Sequence, residues 1–172
     1  YFRLLMAVAM FFVTVQPAFS ASLYQNRQFT RFFSENARIE RGLSQNTVYV
    51  VFQDSHGLLW LGTWDGLNRF DGYEFRHFNR ESGLSNETIR SIAQTGDLLW
   101  VGTEEGLNAI NLRNGNIRNY FASDTDSASL TNNWINHLLV DSHGRLWMST
   151  SAGLSVLDPA TGLIRQFFGS KY

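Results

Sequence analysis

The sequence predicts an all-β fold in which four-stranded antiparallel meanders stack as the blades of a β-propeller. Three copies of one seven-residue frame lead to this prediction, at residues 62–68, 102–108 and, more loosely, 149–155. A tryptophan stands two residues before each copy, at Trp60, Trp100 and Trp147. The tryptophans are 40 and 47 residues apart. Self-similarity at this period is the sequence signature of propeller blades.

Each unit contains four short strand-like segments. In the first unit, residues 47–53 are rich in Val, Tyr and Phe, and residues 58–63 form a second apolar run. Residues 67–70 and 74–78 complete the unit. The Asp-Gly pairs at 65–66 and 71–72 predict two-residue hairpin turns centred on those pairs. Because neighbouring blades cover both faces of a blade, inner strands need not alternate apolar and polar residues, and the apolar run at 48–52 fits this arrangement.

The pattern divides the chain into an export signal and successive blades. Residues 1–20 read as a signal peptide, with Arg3 before an apolar run and the small residues Ala18 and Ser20 at the predicted cleavage site. The run of about twelve residues is short for a membrane span, which needs roughly 20, and an uncleaved anchor is the alternative. Residues 21–42 form an N-terminal segment with a partial blade strand at 29–33.

The three blades are predicted at residues 43–79, 84–121 and 130–168. Propeller rings need roughly four to eight blades, so about three blades make an incomplete ring. We therefore expect further blades beyond residue 172, and aggregation or partial order when the fragment is expressed alone.

Composition argues against several classes of function. The chain has 14 Lys and Arg against 15 Asp and Glu, which gives no overall basic charge for nucleic acid. It contains no cysteine, so disulfides, thiolate metal sites and cysteine nucleophiles are ruled out. No motif of a serine hydrolase, zinc protease or phosphate-binding loop occurs. We predict no enzyme activity in this region, no cofactor and no metal.

Two positions inside the frame change their chemistry completely from copy to copy. They are occupied by Trp64–Asp65, Glu104–Glu105 and Ser151–Ala152. A variable position within a fixed frame is free to serve recognition, although exposed turns also vary without a function. The predicted ligand-binding residues are Trp64, Asp65, Glu104, Glu105 and Trp134, the last in the loop that opens the third blade.

Other conspicuous residues fit a structural role better. The repeated tryptophans could stack on sugars, but their apolar flanks favour packing between blades. The Asp-Ser-His-Gly runs at 54–57 and 141–144 resemble the Asp-box turn of sialidase propellers, which folds a hairpin. The position of His56 and His143 on different blades argues against a metal site formed by these two histidines.

The best-matching unit resembles a known repeat. Residues 48–54, 57–63 and 65–72 together closely resemble the two-component regulator propeller repeat, and the resemblance extends over about residues 24–168. The third copy departs from the pattern, with Ser149 in place of Gly and Ser155 in place of Asn. Members of that family are typically periplasmic sensors with many blades, followed by a β-sandwich, a membrane helix and a cytoplasmic histidine kinase or diguanylate cyclase.

The resemblance implies an extracytoplasmic, ligand-sensing propeller of a membrane-bound signal-transduction protein. It implies a periplasmic location, a small-molecule or glycan-derived ligand, and a homodimer. It implies no nucleic acid, and membrane contact only through a C-terminal segment beyond residue 172. An exported propeller glycosidase or lyase and a structural interaction scaffold are the alternatives.

Overall fold

The computed structural model describes residues 42–168, which form twelve β-strands and no helix. Accordingly, no helix in this part of the chain is available to cross a membrane. The predicted signal peptide, the partial blade strand at 29–33 and the rest of the N-terminal segment before residue 42 lie outside the described residues.

The strands form three separate four-stranded antiparallel sheets, each in chain order. The first sheet contains β1 (Val48–Gln53), β2 (Leu59–Thr63), β3 (Leu67–Phe70) and β4 (Phe75–Phe78). The second contains β5 (Ile89–Thr95), β6 (Leu98–Thr103), β7 (Gly106–Asn111) and β8 (Ile117–Tyr120). The third contains β9 (Ile135–Val140), β10 (Leu146–Thr150), β11 (Gly153–Leu157) and β12 (Ile164–Phe167). These meanders confirm the predicted all-β fold of propeller blades, and we call them blades 1, 2 and 3.

The hydrophobic core lies between the blades. One buried cluster joins Trp60 of blade 1 to Ile89 of blade 2, and a second joins Trp100 of blade 2 to Ile135 and Met148 of blade 3. Contacts between neighbouring blades involve the first strands β1, β5 and β9 most heavily, so these strands form the innermost row. Each blade therefore buries its apolar side chains against the next one.

The three tryptophans show what a neighbouring blade contributes. Trp60 and Trp100 each face the following blade and are only 1% exposed, which confirms the predicted packing role for both. Trp147 occupies the same position on blade 3, where no further blade is described, and it is only half-buried. Full burial at this position thus requires a following blade.

The inner strands differ from one another in burial. β5, between two blades, is mostly buried, but β1 alternates half-buried and exposed residues, with Val51 61% exposed. The reason is that β1 has a described blade on only one side. An apolar run such as Val48–Phe52 is fully covered only when both neighbours are present.

The glycine that begins the seven-residue frame, Gly62 in blade 1 and Gly102 in blade 2, is where the next blade packs against the backbone. A Cβ at Gly62 would lie 2.5 Å from Cγ2 of Ile89, and a Cβ at Gly102 would lie 2.6 Å from Cγ2 of Ile135. In both places an isoleucine of the next blade fills the space that a side chain would need. The frame keeps glycine there because the next blade approaches the backbone so closely.

Candidate functional site

A buried hydrogen-bonded network fixes the end of each blade where the variable turn lies. In blade 1, the Ser44 amide donates to Oδ1 of Asn68 (2.8 Å), and Nδ2 of Asn68 donates to Oγ of Ser44 (2.9 Å). The Ser44 and Thr63 hydroxyl oxygens are 3.2 Å apart. Equivalent trios are Ser85, Thr103 and Asn108, and Thr131, Thr150 and Ser155. These repeated polar residues are therefore structural.

The turn between the second and third strands has one geometry in all three blades. In blade 1, the Thr63 amide donates to the Gly66 carbonyl (3.1 Å), so Trp64 and Asp65 are the central residues. The predicted centre at 65–66 was wrong by one residue. Gly66 instead follows the turn at φ +99°, where a Cβ would lie 2.6 Å from the carbonyl oxygen of Phe78. Its conformation and this contact both require glycine.

The threonine hydroxyl closes this turn identically in each copy. It accepts a hydrogen bond from the second central residue at 3.1 Å in all three blades, from the amides of Asp65, Glu105 and Ala152. Since the backbone of the turn is constant, only the side chains at its two central positions distinguish one turn from another. Asp65 and Glu105 are exposed, Glu104 is half-buried and Trp64 is 57% exposed.

Trp134 lies beside the turns of two blades. Its carbonyl accepts a hydrogen bond from the Ser151 amide (3.2 Å) in the turn of its own blade. The preceding carbonyl, of Asn133, accepts one from the Gly106 amide (2.7 Å), which follows the Glu104–Glu105 turn of blade 2. The indole is 40% exposed. The structure thus places Trp134 next to the glutamate turn, at the same end of the blades as Trp64.

Sequence reasoning missed a second set of variable residues at this end. Each inner strand has a register irregularity near its start, and the residue skipped by the pairing is Tyr49 in β1, Arg90 in β5 and Asn136 in β9. We call these three residues the bulge residues. β-Bulges re-aim side chains and are over-represented next to functional sites. A comparison of the three copies would have found this position, because it changes chemistry as completely as the turn does.

Arg90 connects the bulge residues to the predicted ligand-binding residues. Its Nη1 is 3.8 Å from Oε1 of Glu104, and its Cζ is 5.6 Å from the ring centroid of Tyr49 on blade 1. A cation over an aromatic face is attracted by the ring. A cluster of Tyr49, Arg90 and Glu104 therefore spans the innermost edge of blades 1 and 2, and both polar partners remain partly open to solvent.

The two adjacent glutamates of blade 2 are held by different arginines. Oε2 of Glu105 is 2.5 Å from Nη2 of Arg80, and the hydrogen bond from Arg80 lowers the pKa of Glu105 below its usual value. Glu104 interacts with Arg90 instead. The two carboxylates thus engage separate partners.

The Asp-Ser-His-Gly turns are held together by their aspartates. Oδ1 of Asp54 accepts hydrogen bonds from the amides of His56 (2.9 Å) and Leu58 (3.0 Å), and Oδ2 accepts one from the Trp60 indole (2.8 Å). Asp141 bonds the Trp147 indole in the same way, and this contact lowers the pKa of its carboxyl group. Between residues 42 and 168, no three His, Asp or Glu side chains are grouped as metal ligands would be.

Comparison with known proteins identifies the repeat. The family model of the two component regulator propeller matches residues 42–65 and 129–152. The chain carries two-component regulator propeller repeats. The matched segments contain the buried serine or threonine, the aspartate turn and the tryptophan of blades 1 and 3, which are the residues whose contacts repeat in the structure.

The relatives of this propeller are much longer proteins. A 35-residue segment is 57% identical to histidine kinase P4 of Formosa agariphila, and it covers 20% of this chain and 3% of that protein. The extracellular domain of a protein described as a hybrid two component system, from B. thetaiotaomicron, is 30% identical with a TM-score of 0.69. That match covers 76% of this chain and 19% of that one.

A more distant structure shares the fold alone. Virginiamycin B lyase from Staphylococcus aureus is 14% identical, with a TM-score of 0.58 over 76% of this chain and 44% of the lyase. At this identity the likeness indicates a common blade architecture and carries no information about activity.

Proposed function

We propose that this chain is part of the extracytoplasmic sensor propeller of a membrane-bound signal-transduction protein. The observation that carries the proposal is the 30% identity and TM-score of 0.69 with the extracellular domain of a hybrid two component system. The output domain is a histidine kinase or a diguanylate cyclase on the far side of the membrane. The protein is exported to the periplasm and signals as a homodimer.

The proposed ligand site is the end of the blades that carries the variable residues. Trp64, Trp134 and Tyr49 offer exposed aromatic surface there, and Arg90 and Glu104 offer charged hydrogen-bonding groups. Aromatic faces and nearby polar groups together suit a small or glycan-derived ligand. To signal, such a site needs only to bind one conformation of the receptor better than the other.

The propeller itself is proposed to be non-catalytic. In support of this, Glu104 and Glu105 are each held by a separate arginine, as described above. Recognition needs only a stable surface with variable side chains, which the constant turn geometry provides.

The test uses the full-length protein and a panel of neutral and uronate-containing oligosaccharides, with binding measured by calorimetry. Trp64→Ala and Arg90→Ala should each weaken binding of a positive oligosaccharide at least tenfold. Tyr73→Ala is the matched control, because Tyr73 is 92% exposed in the turn at the opposite end of blade 1.

The proposal fails if Tyr73→Ala weakens binding as much as the other two variants. Release of shortened sugars during the incubation would support the glycosidase or lyase alternative instead. If no oligosaccharide or other small molecule binds, the scaffold alternative gains support.

A further inference from the structure

Each blade carries one pair of variable side chains where its inner strand meets the variable turn. In blade 2, the register pairs Ile89 with Thr103 and skips Arg90, and Glu104 directly follows Thr103. The bulge residue and the first turn residue are therefore neighbours, with Nη1 of Arg90 3.8 Å from Oε1 of Glu104. The same register irregularity recurs in blades 1 and 3. We call these the rim pairs, and they are Tyr49–Trp64, Arg90–Glu104 and Asn136–Ser151.

The rim pairs of blades 1 and 2 present an aromatic surface beside a charged one. Tyr49 and Trp64 are 47% and 57% exposed. The Arg90 guanidinium lies over the Tyr49 ring, with Cζ 5.6 Å from the ring centroid, so the two rim pairs adjoin each other. Exposed aromatic faces are surfaces on which a ligand ring can stack. A ring that lies on Trp64 is therefore close to the charged pair.

The charged rim pair has hydrogen-bonding capacity left for a ligand. Its separation of 3.8 Å exceeds the roughly 2.7–3.2 Å of an N–H···O hydrogen bond. The Arg90 and Glu104 side chains are 36% and 27% exposed, so a ligand can reach both. A hydroxyl group both accepts and donates, and it can accept from Arg90 while it donates to Glu104.

The charges at this place disfavour an anionic ligand. A carboxylate that approaches Arg90 also approaches Glu104, and placing like charges side by side costs binding free energy. Arg80 does not offset this repulsion, because it is already paired with Glu105. An uncharged hydroxyl group meets no such repulsion.

We propose that the charged rim pair selects an uncharged sugar ring over the corresponding uronate, which rests on the ligand-sensing function proposed above. The ring lies on Trp64, and one hydroxyl group or two adjacent ones bridge Arg90 and Glu104. The Glu104 carboxylate excludes sugars that carry a carboxylate in this place.

The probes are three matched pairs of trisaccharides, each pair with one linkage and differing only in the carboxylates of the uronate. They are cellotriose with triglucuronate, mannotriose with trimannuronate, and galactotriose with trigalacturonate. Binding to the full-length protein is measured by calorimetry. In each pair that binds, the neutral sugar should bind at least tenfold more tightly than the uronate.

Two variants test the two charges separately. Glu104→Gln removes the negative charge and keeps the shape of the side chain, so it should tighten uronate binding at least fivefold and change neutral binding less than threefold. Arg90→Gln should weaken neutral binding at least tenfold. The matched control is Glu74→Gln, because Glu74 is exposed in the turn at the opposite end of blade 1, and the ratio of the two affinities should stay within twofold.

The proposal is overturned if a uronate binds as tightly as its neutral partner, or if Glu104→Gln leaves the ratio of their affinities unchanged. It is equally overturned if Glu74→Gln changes that ratio as much as Glu104→Gln does. These results leave the proposed sensor function intact, since a sugar still binds. If none of the six sugars binds, the selection fails together with the sugar ligand, and the scaffold alternative gains support.

Discussion

Adding one methyl group at Gly102 should destabilise the contact between blades 2 and 3. The new Cβ would lie 2.6 Å from Cγ2 and 3.1 Å from Cβ of Ile135, well inside normal van der Waals distance. Overpacking of this kind costs about 1–3 kcal/mol. Gly102 is not in the left-handed region, so Gly102→Ala has no backbone strain to add. Replacing glycine by alanine without strain stabilises by about 0.4–1 kcal/mol, so the net loss should be at most about 2.5 kcal/mol.

A double-mutant cycle attributes that loss to Ile135. Ile135 is fully buried, so Ile135→Ala alone should cost about 2–5 kcal/mol. In the Ile135→Ala background Cγ2 is gone and the remaining Cβ, at 3.1 Å, is only a tight contact, so Gly102→Ala should cost clearly less than in the parent protein. The free energy of unfolding is measured by urea titration with circular dichroism for all four proteins. If the two costs add within about 0.5 kcal/mol, the two residues do not pack as described.

Three further outcomes follow from individual buried or hydrogen-bonded side chains. Trp60→Ala should cost about 3–5 kcal/mol in urea unfolding, since Trp60 is buried, and a near-neutral result would revive a sugar-stacking role. Thr103→Val should cost about 1–3 kcal/mol by leaving the Glu105 amide and the Ser85 hydroxyl without their partner, and an unchanged unfolding midpoint would contradict the network. Because the folded-state pKa of Asp141 is lowered from its usual value near 3.8, its contribution to stability is present above that pH and is lost as the pH falls below it. Asp141→Asn should therefore lose less stability than the parent protein between pH 5 and pH 3, and parallel pH profiles would refute this.

The repeat made the fold predictable from the sequence. The frame, its preceding tryptophan and the strand-like runs each reflect contacts that occur once per blade, such as the close approach of Ile89 to Gly62. The centre of the β2–β3 turn was misplaced, because Gly66 is needed for a positive φ after the turn and not within it. The preference of Asp-Gly pairs for hairpins does not show whether the glycine lies within the turn or directly after it. Only the pairing of β2 with β3 decides that.

The candidate site was only partly predictable. Variation within the frame pointed to Trp64 and Glu104, which lie at the same end of the blades. Arg90 was missed because an arginine in a strand normally reads as an exposed surface residue, and only the bulge and the neighbouring blade reveal its contacts. The contact between Arg90 and Tyr49 depends on how blades 1 and 2 pack together, and the sequence of one repeat contains no information about that packing.

The central physical claim is that each blade is completed by its neighbour, and exchange of the tryptophan indole N–H groups with D₂O tests it most directly. Trp60 and Trp147 donate the same 2.8 Å hydrogen bond to an aspartate, so the main difference between them is coverage by a following blade. In the 172-residue chain, where the expected partial order should be concentrated in blade 3, NMR of the monomer should show slow exchange for Trp60 and Trp100 and clearly faster exchange for Trp147. Equal protection of all three indoles would contradict the account.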